Sequence, residues 1–379
     1  MDPLLAGLES QRSKMLAVLE KMVRLESPSH AAAAVNCCVD YVAGECQRLG
    51  GKVTRHSSRE YGDALQADFL PPSKSRGRIL LLGHLDTVWE LGTLRRMPYR
   101  LADGRAWGPG VLDMKSGVTQ ALFALQALRA LRFPLPKHVT LLLNPDEEVG
   151  SHFSRPITER IAKTCDAVLV LEPGTGWRGA LKTARKGVGL YEVRVHGRAA
   201  HAGVDFHHGV SATLELARQI PRITSFTSRK RGLTVNVGVI RGGTRSNVVA
   251  EEAVAMVDVR VARLADAAPL DRKFRALRPF HPEARIEIAG GLNRPPMERS
   301  PAGAALFAKA RDLGRGLGLD LEESSTGGGS DGNFTAGLGI PTLDGLGGAG
   351  EGAHAVNESI RLDLLAPRAA LLARLLLEV

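Results

Sequence analysis

Through its first half the chain alternates amphipathic stretches with short, unbroken apolar runs. Residues 1–26, MDPLLAGLESQRSKMLAVLEKMVRLE, read as an N-terminal helix, and 31–50, AAAAVNCCVDYVAGECQRLG, as a second helix closed by Gly50. Strands are expected on either side of PPSKSRGR. RILLLGHLDTVWE, residues 78–90, contains the run Leu80–Gly83, a buried strand that stops at polar residues. VTQALFALQALRALR, residues 118–132, is strongly helical and ends at Phe133 and Pro134. HVTLLLNPDEEVGS and DAVLVLEPGTG then supply two more buried strands that finish in acidic residues. Apolar strands separated by helices predict an α/β domain with a central, mostly parallel sheet flanked by helices.

The texture changes near residue 180. LYEVRVHG, LTVNVGVIRGG and VAMVDVRVARL alternate at period two, with helical SATLELARQIP between the first two. This pattern suits a small α+β domain with a half-exposed sheet. After about residue 290 the chain returns to helix, Gly-rich loop, apolar strand and a final helix. An inserted domain over 181–290 is therefore expected, flanked by 1–180 and 291–379 as two parts of one larger domain.

Composition narrows the class. With 379 residues, 44% hydrophobic and 24% charged, the chain can bury large cores without covalent staples. Cys37, Cys38 and Cys46 lie on a predicted helix without CxxC spacing, so the four cysteines form no disulfide framework. No apolar run resembles a secretory signal or reaches the roughly 18 residues of a membrane helix. A cytoplasmic protein without a membrane partner is expected. The net charge of +10 raises nucleic acid as a partner. The basic residues are spread out, however, the densest cluster being Arg229, Lys230 and Arg231, and aromatics are 4%. That is too few for base-stacking platforms, so nucleic acid is not expected.

The polar residues at strand ends carry the chemistry. His84 and Asp86 are spaced i, i+2 and share a face, and a carboxylate beside an imidazole can fix the tautomer of a metal-ligating histidine. In open α/β sheets ligands bind at the carboxyl ends of strands, where His84, Glu147, Glu148 and Glu172 all fall. Asp113 and His354 lie in loops. Two histidines with several carboxylates suit Zn²⁺ or a neighbouring divalent transition metal. Three ligating carboxylates and two histidines are too many for one tetrahedral catalytic zinc, and they suit two metals sharing a bridge. Two Zn²⁺, three carboxylates and a hydroxide also sum to zero charge, which avoids burying isolated ions. GTGWRG, residues 174–179, fits a dinucleotide fingerprint by letter, but the residues after it read as strand where that motif needs a helix.

GHLDTV, GPGVLDMKSG, NPDEEVGS, LEP and AHAVNE, in that order over almost the whole chain, resemble a two-zinc exopeptidase and amidohydrolase family. Its members include glutamate carboxypeptidase, acetylornithine deacetylase, succinyl-diaminopimelate desuccinylase and the aminoacylases. The resemblance implies one metal on His84, Asp113 and Glu172 and a second on Asp113, Glu148 and His354, with Asp113 bridging. It implies two Zn²⁺ per subunit, with Co²⁺ or Mn²⁺ as substitutes, and a cis Asp113–Met114 bond. Asp86 would orient His84, and Glu147 would be the general base that takes a proton from water and passes it to the leaving amine.

In the inserted domain, His201 in GRAAHAGVDFHHGVSA matches the family's lid histidine, which reaches into a partner subunit's active site and polarises the scissile carbonyl. His207 and His208 are its neighbours. That implies a homodimer and makes the insertion a lid and dimerisation domain. Arg260 and Asn247 match residues that hold the substrate's free carboxylate, and Gly329 in STGGGSDG matches a backbone contact to substrate. The order of motifs looks most like the glutamate carboxypeptidase branch. Two departures stand out: Ala180, between Arg178 and Lys182, occupies the place where that branch reads a side-chain carboxylate, and Ala355 follows His354 where it has serine. The expected function is hydrolysis of an amide bond next to a free carboxylate in a small peptide. An N-acyl-amino-acid deacylase is the alternative, and a non-catalytic binding dimer the remote one.

Overall fold

The computed structural model describes residues 2–72 and 77–379. Within the loop PPSKSRGR, residues 73–76 lie outside the described residues. The chain divides into two compact units. One comprises the residues up to Ala184 together with Arg299–Thr326 and Ser330–Val379, and the other comprises Arg185–Glu298 with Gly327–Gly329. The strand Arg285–Arg294 completes the second unit. Its alternation Ile286, Ile288 is interrupted by Gly290 and Gly291, which is why the pattern seen in the sequence stops at about residue 290.

The first unit is built on a six-stranded sheet. Across it run Lys52–His56, Ala64–Phe69, His138–Asn144, Arg78–His84, Ala167–Val170 and Thr342–Leu343. Arg78–His84 is parallel to both its neighbours, and Thr342–Leu343 is parallel to Ala167–Val170. Only the two pairings at the other side of the sheet are antiparallel. The parallel strands are apolar on both faces, as sheets covered on both sides are. The helix Ser116–Ala130 is buried almost all round and packs on the final helix, Leu365–Glu378. No helix of the described residues is long and apolar enough to cross a membrane.

The predicted N-terminal helix is two, Pro3–Ser10 and Arg12–Arg24, parting at Gln11. The Ser10 hydroxyl donates to the Gly7 carbonyl at 2.7 Å, competing with the helix ladder where glycine has already weakened it. A second small sheet escaped the sequence reading because its strands are too short to show a period. In it Gly350–Glu351, Ser359–Arg361, Arg105–Trp107 and Arg100–Ala102 lie side by side. Its first pair is antiparallel and encloses the turn that carries His354.

The second unit is a four-stranded antiparallel sheet ordered Thr234–Gly242, Glu252–Val261, Gly187–His196 and Arg285–Arg294. Its odd-numbered residues Tyr191, Val193, Ala255, Val257 and Val259 pack against the helices Ala212–Thr224 and Ala267–Arg275. Tyr191 stacks on Phe274 with ring centroids 4.0 Å apart. Arg260 points to the opposite face.

Candidate metal centre

His84 is the last residue of its strand and is 1% exposed. Its Nδ1 lies 3.0 Å from the carbonyl of Asp86 and 3.4 Å from that residue's Oδ1. A carbonyl only accepts, so Nδ1 carries the hydrogen and Nε2 faces the site. Nε2 is 3.3 Å from Asp113 Oδ1 and 3.5 Å from Glu172 Oε1. On the other side, His354 Nε2 is 3.4 Å from Asp113 Oδ2 and 3.2 Å from Glu148 Oε2. His84, Asp113 and Glu172 thus form one group of metal-ligand type, and Asp113, Glu148 and His354 a second. Each Asp113 oxygen serves a different group. The peptide bond from Asp113 to Met114 is cis, as the resemblance implied.

Two observations test whether these residues fit a metal. His84 Nε2, Asp113 Oδ1 and Glu148 Oε1 are buried without a hydrogen-bond partner among the described residues. Buried polar atoms are rarely left so, and three at one place mark a position for an ion. The spacings agree as well: four ligands at about 2.0–2.1 Å from zinc lie roughly 3.3–3.4 Å from one another. The groups fit a pair of divalent cations sharing Asp113.

Asp86 does more than face His84. Its Oδ1 accepts the backbone N–H of Glu147 at 3.1 Å, and its Oδ2 accepts that of Glu148 at 3.1 Å and the Ser29 hydroxyl at 2.7 Å. One buried carboxylate therefore joins the end of the His84 strand to the turn bearing both glutamates. Glu147 is half-buried and belongs to neither ligand group. Gly83, just before His84, leaves room for Met114, whose Cε would lie 2.9 Å from an added Cβ. Lys115 is buried and donates to the carbonyls of Met22 and Leu25 at 3.0 and 3.1 Å, at the end of helix Arg12–Arg24.

Sequence reasoning missed Ser29, Lys115 and Glu358. The last is fully buried under the turn that leads to Asp113. Its only sequence signal was its place at the end of AHAVNE. Ser29 had none.

In the second unit, His201 is exposed, and its Nδ1 accepts the Gly203 N–H at 3.1 Å. The backbone of His201 bridges to Val248, and the Asn247 carbonyl accepts the Ala202 N–H at 2.9 Å, so His201 and Asn247 sit on adjoining loops. His207 and His208 are exposed nearby. Arg260 is clamped by Asp258, its Nε and Nη2 each 2.9 Å from a carboxylate oxygen, and its Nη1 reaches the Gly327 carbonyl at 3.4 Å. A Cβ on Gly329 would fall 2.7 Å from Val188 and 2.9 Å from Arg294, so packing within this unit already requires glycine there. Back in the first unit, Arg178 pairs with Glu322 at 3.5 Å, and the buried Lys182 donates to the Pro173 carbonyl at 2.6 Å. Ala180 is therefore bracketed by a buried lysine that is already engaged and an exposed arginine in a surface ion pair. After GTGWRG comes the strand Leu181–Arg185, so that motif opens no helix.

The electrostatics describe a site that takes protons when it lacks cations. Burial pushes the His84 ring down, but Asp113, Asp86 and Glu172 overcome it and raise its pKa well above the usual value. Asp113 and Glu148 push His354 up to about 10. Burial raises Asp113, yet His354 and His84 hold it well below the carboxylate range. Ligation requires neutral histidines, so each bound cation displaces protons. Cation affinity is expected to rise about tenfold per pH unit for each proton displaced, from about pH 6.5 to 9. The stability of the cation-free protein runs the other way. The His354 contribution is fully present below its ordinary pKa of 6.5 and is lost as pH rises through about 10. Melting temperatures measured with zinc and with chelator should therefore diverge as pH rises, and a constant gap would refute this.

The comparisons with known proteins agree with this geometry. Residues 80–378 match the model for peptidase family M20/M25/M40. Carboxypeptidase G2 of Pseudomonas sp. (strain RS-16) is 30% identical over 378 residues, covering 97% of this chain and 90% of that protein. The N-formyl-4-amino-5-aminomethyl-2-methylpyrimidine deformylase of Halalkalibacterium halodurans is 24% identical over 402 residues, covering 96% and 93%. The crystal structure of aminopeptidase PepT from Bacillus cereus shares the fold with a TM-score of 0.78 at 22% identity, covering 96% of this chain and 98% of that one. Matched over nearly its whole length, and with two acid–histidine groups of metal-ligand type, the chain belongs to peptidase family M20/M25/M40 and is a metal-dependent hydrolase.

Proposed function

We propose that this protein is a di-zinc carboxypeptidase that cleaves the amide bond next to a free carboxylate in small peptides. The observation that carries the reading is the pair of ligand groups sharing Asp113, with the Glu147 turn tied through Asp86 to the strand of His84. Two divalent cations held there would polarise an amide carbonyl and acidify water. Glu147 takes the proton of the attacking water and delivers it to the leaving amine. Arg260, oriented by Asp258, and Asn247 grip the free carboxylate, a task suited to a guanidinium fork. Ala180 offers no charge of its own for an acidic side chain and the buried Lys182 is held by the Pro173 carbonyl, so neutral C-terminal residues are the expected substrates. Replacement of the exposed Arg178 by Ala tests a preference for acidic ones.

The second reading is an N-acyl-amino-acid deacylase. It is favoured by the Ala355 departure and by the likeness to a relative named as a deformylase. Dipeptides and folate-type substrates assayed beside N-acetyl and N-formyl amino acids separate the two. Turnover of the acylated amino acids alone would sink the peptidase reading.

We further propose that the protein works as a homodimer in which His201 completes the partner's site. The strand Thr234–Gly242 is a sheet edge with Val239 45% and Ile240 55% exposed, and such edges are normally covered. His201→Ala is expected to lower kcat about 10²-fold with cation content intact, as for loss of one oxyanion donor. Mixing it with Glu147→Gln subunits should then restore about a quarter of wild-type activity, because half of the dimers carry one complete site in two. No recovery in verified hybrid dimers would mean that His201 serves its own subunit.

A further inference from the structure

Asp113 lies in a turn, Gly108 to Asp113, outside the strands of the main sheet. It is held from below by Glu358. Oε1 of Glu358 accepts the backbone N–H of Leu112 at 2.9 Å and of Asp113 at 3.0 Å. Oε2 accepts the backbone N–H of Gly110 at 2.8 Å and the Trp89 indole N–H at 2.7 Å. The backbone of the same residue closes the neighbouring turn. Its N–H donates to the Ala355 carbonyl at 2.9 Å and its carbonyl accepts the Gly108 N–H at 3.3 Å. Glu358 is four residues beyond His354. One residue thus joins the turn that presents the shared carboxylate, the turn that presents the second histidine, and the segment after His84.

We propose that Glu358 is a positioning residue for the metal centre, setting Asp113 so that its two oxygens face the two ligand groups at once. The inference rests on the reading of Asp113 as the shared ligand. A carboxylate is required for a geometric reason. Each of its oxygens meets two N–H donors, so an amide in either orientation turns its own NH₂ against a pair of donors. A buried donor left facing another donor forces the turn to move. Because a bridging ligand must satisfy two positions together, a small shift of the Asp113 backbone weakens both.

Glu358→Gln in the full-length protein provides the test, with Glu358→Asp as a milder change that keeps the charge and withdraws it by one methylene. Zinc affinity is measured by competition with a chromogenic chelator, and melting temperature is measured with zinc and with chelator. For Glu358→Gln the expected result is a loss of about 10–100-fold in zinc affinity, the range found for residues that orient metal ligands. The rise in melting temperature on adding zinc should shrink accordingly, and Glu358→Asp should lie between the two. A residue that only stabilises the fold would lower both melting temperatures equally and leave zinc affinity at the wild-type value, which overturns the proposal. If Glu358→Gln does not fold, the same comparison on Glu358→Asp decides. Asp113→Ala run in parallel separates the two claims. Wild-type zinc affinity in Asp113→Ala removes the shared-ligand reading itself, whereas its loss there beside wild-type affinity in Glu358→Gln removes only the role of Glu358.

Discussion

Glu147→Gln is expected to lower kcat by about 10²–10⁴-fold, the range for removing a general acid–base group, with metal content unchanged. The amide matches the carboxylate in shape and cannot accept a proton at neutral pH. The turn that presents it is held by main-chain atoms: the Glu147 N–H donates to Asp86 at 3.1 Å, and that bond does not depend on the side chain. Glu147 also stands outside both groups of metal-ligand type, so its replacement should leave metal binding intact. KM should change little, because the interaction lost is made in the transition state. Steady-state kinetics on zinc-loaded protein, with metal analysis of the same sample, is the check. Activity within a few-fold of wild type would remove Glu147 from the reaction, and loss of zinc would make it a ligand.

The second large effect is expected at Asp86, and it separates two accounts of that residue. Were Asp86 only the partner of the His84 ring, asparagine would serve almost as well, since the nearest contact to Nδ1 is the backbone carbonyl at 3.0 Å. Both carboxylate oxygens, however, accept backbone N–H groups, one from Glu147 and one from Glu148. An asparagine must aim its NH₂ at one of them. Displacement of a catalytic group by about 1 Å can cost about 10²-fold, and disturbed orientation of a ligand a further 10- to 100-fold or so, roughly. Asp86→Asn should therefore lower kcat/KM by about 10³-fold or more, nearly as much as Asp86→Ala. Parity between Asp86→Asn and wild type would confine Asp86 to the histidine.

The strands that carry the site were legible because parallel strands covered on both faces are unbroken apolar runs, and the polar residue that ends each run is conspicuous. His84, Glu148 and Glu172 were visible in that way, and the structure brings them together with Asp113 and His354. The short hairpin around His354 was not legible, since strands of two or three residues have no period to read. Nor was the second task of Asp86, which is performed on main-chain N–H groups 61 and 62 residues away. Side chains that bond to backbone leave no complementary residue to find, and Lys115 and Glu358 were hidden for the same reason; Ser29 meets the Asp86 carboxylate across 57 residues of chain. The break at Gln11 falls in a stretch whose apolar spacing is continuous, so only the weak helix preferences of Gly7 and Ser10 mark it.

The two ligand groups differ in depth. His84 is sealed from solvent, whereas the His354 side chain is 50% exposed and its backbone holds a left-handed φ of 62°. The groups share a carboxylate but differ in the exposure of their histidines. Were each group to hold a cation, exchange would be ordered: the ion beside the more exposed His354 would be last in and first out, and the one beside His84 the slower to leave. Under metal scarcity the molecule would then pass through a half-loaded form that keeps the deeper ion, a reservoir from which function would return when a single cation arrives.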